Sequence, residues 1–139
     1  MGKFEDDDTT FLLVSSFSAF GAGHVYMVPD VSEAVKNGDA SNSTAVKLDT
    51  LDFQWPNDIE VVPYEVFNER AIVVPDGFLV PRHQQGGVYI VRMDPTDLTK
   101  TIETVKITAV KKDYFYHMGY WVDLNGDGRM DFITARSNA

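Results

Sequence analysis

The stretch GHVYMVPD, Gly23 to Asp30, returns with few changes as GVYIVRMD, Gly87 to Asp94. Both stretches place Val before Tyr inside an apolar run, and both end on an aspartate. Because β-branched and aromatic residues favour pleated sheet, each stretch predicts a strand. The two Val-Tyr pairs lie 63 residues apart, and similarity at such a spacing suggests an internal repeat.

The likeness extends outward from these two stretches. Phe11 to Asp30 resembles Gly77 to Asp94 as a whole, and the apolar run Phe11 to Val14 aligns with Phe78 to Val80. A further β-forming run follows each copy, and a third unit begins at Tyr114. We therefore predict one domain over residues 1–139, made of units at roughly 9–51, 57–110 and 114–139.

Short apolar runs separated by turn residues predict strands along the whole chain. A helical pattern occurs only from Val31 to Asn37, with Ser32 as the expected N-cap and Gly38 as the stop. Helical segments are too short to cover a parallel sheet, so the sheets are expected to be antiparallel. The predicted strands are Phe11 to Val14, His24 to Val28, Ala45 to Leu48, Ile59 to Val62, Ala71 to Val74, Phe78 to Val80, Val88 to Met93, Thr101 to Val110, Tyr114 to Val122 and Phe132 to Ala135.

Repeated units of three or four antiparallel strands are typical of β-propeller blades. Two units and part of a third cannot close a ring of about four to eight blades. We therefore expect an all-β fold, an incomplete β-propeller that is either the N-terminal part of a longer protein or one chain of an assembly. An antiparallel β-sandwich, with two hairpins alike by chance, stays open as the alternative.

The third unit carries the most specific chemical signal, WVDLNGDGRMDFITA from Trp121 to Ala135. Hard Ca²⁺ takes about six to eight oxygen ligands. Gly128, at relative position 6, permits a sharp turn, and the backbone carbonyl of Arg129 at position 7 is expected to complete the set. Side-chain oxygens stand at positions 1, 3, 5 and 9, which are Asp123, Asn125, Asp127 and Asp131.

The loop begins like an EF-hand but does not end as one. Position 12 is Thr134, where an EF-hand needs a bidentate glutamate, and strand-like residues flank the loop on both sides. Mg²⁺ is a weaker candidate than Ca²⁺ because it prefers few protein ligands and several waters. A surface turn without metal remains the alternative, since Asn-Gly and Asp-Gly are common turn pairs.

The stretch DLNGDGRMDF, from Asp123 to Phe132, resembles the calcium loop of FG-GAP or VCBS-type β-propeller blades. That family includes the integrin α-subunit head, and the loop there joins two strands of a blade. The resemblance is dense over about Tyr120 to Ala135 and rests elsewhere on the Gly-Val-Tyr repeat. It implies a calcium ion that stabilises the fold, an extracellular or cell-surface location, and a protein or glycan ligand.

Composition disfavours some partners and excludes some kinds of chemistry. The formal net charge of −9 disfavours nucleic-acid binding, and the absence of cysteine excludes disulfides and thiol catalysis. No run approaches the ~20 apolar residues of a membrane helix, so no membrane span is predicted.

Three further positions are candidates. Arg82 and His83 lie in the polar loop PRHQQGG and are expected to line the mouth of a propeller. Trp55, in the turn WPND, is a candidate stacking surface for a sugar, and Asn42 in Asn-Ser-Thr fits a glycosylation acceptor. In each case an ordinary exposed loop or a packed aromatic is the alternative.

Two classes of function follow from these expectations. The first is a calcium-stabilised propeller portion that binds a protein or glycan and is completed by further blades from the same or another chain. The second is part of a propeller enzyme, a lyase or hydrolase, with its site in the central funnel. The sequence carries no catalytic motif, and fold does not decide between the two classes.

Overall fold

The chain forms antiparallel strands in a computed structural model that describes residues 2–4, 9–39, 41, 43–48, 50–78, 86–109 and 114–138. The predicted all-β class and antiparallel pairing are confirmed. The strands are β1 Gly2–Lys3, β2 Thr10–Ser18, β3 Gly21–Val28, β4 Val46–Lys47, β5 Glu60–Val61, β6 Ala71–Asp76, β7 Gly87–Met93, β8 Thr101–Lys106, β9 Tyr114–Val122 and β10 Asp131–Asn138; the helices are α1 Ser32–Asn37 and α2 Tyr64–Phe67.

The strands form three sheets in chain order. The first sheet has the order β1-β2-β3-β4, the second has the order β5-β6-β7-β8, and β9 pairs with β10 in a hairpin. Every neighbouring pair is antiparallel. The first two sheets are therefore the same four-stranded meander, built twice.

The Val-Tyr repeat occupies the same place in both meanders. Tyr26 in β3 lies between Val14 and Lys47 on the neighbouring strands. Tyr89 in β7 lies between Val74 and Lys106. The internal repeat predicted from the sequence is thus repeated in the pairing register.

One part of the predicted alignment is wrong. The partner of β7 is β6, Ala71–Asp76, so β6 and not the run from Phe78 to Val80 corresponds to β2. Phe78 lies outside any strand, and residues 79 and 80 lie outside the described part of the chain. The run is similar to β2 in sequence, but it is β6 that pairs with β7 as β2 pairs with β3.

The second sheet lies between the first sheet and the β9–β10 hairpin. All six residues of β6 are buried, which requires cover on both faces of this strand. One face joins the first sheet in a core formed by Phe4, Phe11, Val25, Met27, Leu48, Phe53, Ile72, Val74, Val91 and Met93. The other joins the hairpin in a core formed by Val62, Ala71, Val73, Val88, Ile90 and Tyr116, with Trp121 and Phe132 packed against it.

The segment from Phe53 to Asp58 ties the three sheets together through hydrogen bonds. Phe53 pairs with Gly23 of the first sheet. The Asn57 side-chain amide donates to the carbonyl of Gly77 at 2.6 Å and to that of Tyr116 in β9 at 2.8 Å. Asp58 Oδ2 accepts the N–H of Gly119 at 3.1 Å. The turn WPND therefore fixes the hairpin against the second sheet.

The predicted helix is present as α1, and its C-terminal stop is confirmed. Gly38 adopts the left-handed conformation at φ 62° and its N–H bonds the carbonyl of Ala34, as a glycine C-cap does. Ser32 is wrong as the N-cap, because the cap position is Val31 and no side chain caps the helix. The Ser32 hydroxyl instead contacts the Thr10 hydroxyl of β2.

Candidate metal-binding loop

The acidic loop, Asp123 to Asp131, joins β9 to β10 at the end of their antiparallel ladder. Val122 and Asp131 are the last paired residues, so strands flank the loop on both sides as predicted. Gly126 at φ 75° and Gly128 at φ 82° take left-handed conformations, which glycine adopts without steric penalty. These two residues allow the chain to turn twice within the loop.

Asp123 organises the loop through its carboxylate. Oδ1 accepts the N–H groups of Gly126 and Asp127 at 2.7 and 3.1 Å, and Oδ2 accepts that of Gly128 at 2.8 Å. The bond from Gly128, followed by those from Gly126 and Asp127, holds the pKa of Asp123 below its ordinary value. Asp123 is consequently ionised at neutral pH, the form that a cation requires.

The other predicted side chains also turn their oxygens toward the loop backbone. Asn125 Oδ1 accepts the Asp127 N–H at 2.9 Å, and Asp131 Oδ2 accepts the Leu124 N–H at 3.2 Å. Backbone bonding of this kind holds these side-chain oxygens against the loop backbone.

Asp127 lies close to a cation of the same loop, the Arg129 guanidinium. Its Oδ1 accepts the N–H of Arg129 at 2.9 Å, while Oδ2 lies 3.0 Å from the Arg129 guanidinium. Oδ2 also accepts the Asn125 side-chain amide at 3.1 Å. The Arg129 side chain, then its backbone N–H, lowers the pKa of Asp127. A metal ion at Oδ2 would compete directly with the guanidinium.

The donor set fits calcium in its chemistry. Three carboxylates and one amide supply only hard oxygen ligands, which Ca²⁺ prefers. An ionised carboxylate has about four acceptor sites, so Asp123 keeps capacity beyond its three backbone bonds. Within the described residues, no three acidic or histidine side chains stand close enough together to form a complete metal cage. Calcium binding to this loop would therefore need the acidic side chains to stand closer together than they do here.

Trp55 lies in an aromatic stack and is not isolated at the surface. The ring of Phe17 stacks on it at a centroid distance of 4.1 Å and that of Phe78 at 4.3 Å. Both faces of the indole are therefore covered. The open aromatic surface of this stack belongs to Phe17, which is 55% exposed.

Three other predicted site residues cannot be placed. Arg82, His83 and Asn42 lie outside the described residues. Their assignments as ligand-binding residues and as a glycosylation acceptor stay predictions.

The sequence did not reveal the buried carboxylate of Asp76 at the end of β6. It is fully buried and accepts the N–H groups of Gln54 at 3.1 Å and Trp55 at 2.6 Å. Burial raises the pKa of Asp76, although these bonds and a further one from Gly77 oppose the shift. The residue stands in VVPDGF, where an aspartate before glycine looks like an exposed turn residue.

Comparison of the chain with family models, with curated proteins and with solved structures finds no match. Across the part of the chain that the structure describes, the helices are too short to cross a membrane.

Proposed function

We propose that this chain is a calcium-stabilised portion of an extracellular β-propeller of FG-GAP or VCBS type that binds a protein or glycan ligand. In this proposal further blades complete the ring, and the calcium ion is structural. Asp123, Asn125, Asp127 and Asp131 supply side-chain oxygens, and Arg129 supplies its backbone carbonyl.

The observation that carries the proposal is the loop between β9 and β10. All four predicted side chains accept backbone N–H groups of this loop, so their oxygens lie along one short stretch of backbone. A bound divalent cation would offset the charge of three neighbouring carboxylates and hold β9 and β10 together at their ends.

The stacking of the sheets supports the propeller part of the proposal. Two meanders of the same strand order and the same Val-Tyr register follow one another, and a hairpin packs on the second. Radial repetition of such meanders is the architecture of a propeller. A sandwich would use two sheets around one core, whereas the second sheet here contributes to two.

Affinity in the range of extracellular modules, about 0.1–1 mM, fits an exposed loop of this kind. Calcium at about 10 mM should then raise the melting temperature of the wild-type chain by roughly 5–8 °C over its value in chelator. Isothermal titration with calcium chloride should give one site per chain.

A matched pair of variants tests the assignment. Asp127→Ala should abolish both the heat of binding and the calcium-dependent melting shift. Asp97→Ala is the control, because Asp97 is likewise partly exposed and accepts the N–H of the residue two positions on. The calcium proposal fails if wild-type melting is the same in calcium and in chelator.

The ligand part of the proposal rests on the aromatic stack formed by Phe17, Trp55 and Phe78. A glycan array probed with the calcium-loaded chain should give signals that Phe17→Ala weakens. Phe20→Ala is the control, since Phe20 is a fully exposed ring in the β2–β3 turn. Equal signals for the two variants would remove Phe17 and its stack from the ligand surface.

A further inference from the structure

Two apolar sheet faces are open at opposite ends of the stack. We call the face that a sheet turns toward the sheet after it in the chain its forward face, and the opposite face its back face. For the hairpin, which comes last, the forward face is the one turned away from the second sheet. The back face of the first sheet exposes Leu12 (40%) and Val14 (41%), with Tyr26 and Val28 beside them. The forward face of the hairpin exposes Met118, Tyr120, Val122 and Ile133, each by more than a third.

Strand register shows what kind of surface the open back face is. Leu12 pairs with Val28, and Ile72 pairs with Val91. Val14 pairs with Tyr26 as Val74 pairs with Tyr89. The four residues of the open back face therefore correspond one to one with four residues of the second sheet.

Those four counterparts lie inside the molecule. Ile72, Val74 and Val91 are fully buried, and Tyr89 packs against the same core. They are covered by the forward face of the first sheet, through Phe11, Val25 and Met27. A back face of this composition is thus a surface that a forward face covers.

Both internal junctions follow the same rule. The forward face of the first sheet packs on the back face of the second, and the forward face of the second packs on the hairpin. Among the described residues, nothing covers the back face of the first sheet or the forward face of the hairpin, and both faces expose apolar side chains. Exposed apolar patches of this kind mark interaction surfaces.

Helix α1 extends the open back face. Val31, Ala34 and Val35 line an apolar groove of about 440 Å³ together with Leu12 and Val28. In the second sheet the corresponding connection, between β7 and β8, places Leu98 against the core. Both connections thus add apolar surface to a back face.

We propose that the two open faces bind each other between copies of this chain, in a head-to-tail arrangement. The occupant of the first sheet's back face is the β9–β10 hairpin of a second copy. This inference rests on the proposed function insofar as it treats the sheets as blades, and it needs no calcium chemistry. Unlike faces that join in this way produce a ring or an open chain, not a two-fold dimer.

Sedimentation velocity on the full chain tests the inference. At physiological salt, where the repulsion from the net charge of −9 is largely screened, the wild type should form species heavier than the 15.6 kDa monomer. Val14→Glu blocks the back face and Ile133→Glu blocks the forward face, so each variant alone should remain monomeric. Leu12→Glu and Tyr120→Glu are second variants for the same two faces.

Mixing the blocked variants makes the test specific. Val14→Glu keeps its forward face and Ile133→Glu keeps its back face, so an equimolar mixture should form a complex of twice the 15.6 kDa monomer mass and no larger. Ile102→Glu places the same charge on exposed β8 of the second sheet and should associate like the wild type. Circular dichroism confirms that each variant is folded.

Two results would overturn the inference. The first is a wild-type chain that stays monomeric up to about 100 μM, because such a chain does not self-associate through these faces. A mixture that fails to complement would show that the open faces do not bind each other. Either result leaves the calcium titration unaffected, so a failure here is distinct from a failure of the proposed metal site.

Discussion

The first and second sheets share strand order and register but differ in what covers them. Leu12 and Val14 of the first sheet are 40% and 41% exposed, whereas their counterparts Ile72 and Val74 are fully buried. The residue types are nearly the same, so position in the stack decides the burial. The energetic importance of an apolar side chain in a repeat therefore depends on whether a neighbouring sheet is present.

Truncation at corresponding positions should give the largest difference between the two sheets. Ile72→Ala opens a cavity between two packed sheets and should lower the free energy of unfolding by about 2–5 kcal/mol. Leu12→Ala removes a side chain that is already partly in water, so its effect should be below about 1 kcal/mol. Urea denaturation of dilute, monomeric protein measures both. Equal losses for the two variants would show that cover by a neighbouring sheet does not decide how much these side chains contribute to stability.

A second pair of corresponding positions, Asp76 and Ser16, also differs between the two sheets. Asp76 faces Gly87 across β6 and β7, as Ser16 faces His24 in the first sheet. Asp76→Ala leaves the N–H groups of Gln54 and Trp55 without their acceptor and should destabilise the fold by about 2 kcal/mol. Ser16→Ala is the matched control and should change stability by less than about 0.5 kcal/mol.

The pH dependence of Asp76 has a defined sign. Its folded pKa is raised by burial above the ordinary value of 3.8, so the folded state holds the proton more tightly than the unfolded state. The pH-dependent part of its contribution to stability is complete below pH 3.8 and is lost as the pH rises through the folded pKa. Asp76→Asn should remove this part of the stability profile. A wild-type-minus-variant difference that grows with pH would contradict the assignment.

The smallest predicted effect lies in the hairpin. Arg129 pairs with Asp127 through a side chain that is 86% exposed, and exposed pairs of this kind are weak. Arg129→Gln keeps the backbone carbonyl but removes the competing charge, so calcium should bind up to about fivefold more tightly. Titration calorimetry measures the change. Weaker binding by the variant would mean that the arginine supports the ion.

Local sequence patterns predicted the strands well where apolar residues ran uninterrupted. The bounds of β9 agree with the prediction from Tyr114 to Val122, and the glycine stop of α1 is present. Helix α2 was missed because its four residues carry no helical period. The strand at Phe78 was misassigned because pairing across the chain, which one sequence does not reveal, gave that place to β6.

The sequence likewise predicted only part of the candidate site and its surroundings. The spacing of the acidic loop is local, and the predicted side chains do converge on one loop backbone. The burial of Asp76 depends on residues that are distant in the sequence, including Gln54 and Trp55. The covering of Trp55 by two phenylalanines is likewise a product of packing between distant segments.

Hydrogen–deuterium exchange in excess calcium and in chelator shows whether calcium stabilises the β9–β10 hairpin. The second sheet is held by two cores, whereas the hairpin has one packed face and the acidic loop at its end. Calcium should therefore slow exchange in β9 and β10 and leave β6 and β7 unchanged. Equal protection of the hairpin in calcium and in chelator would contradict the account.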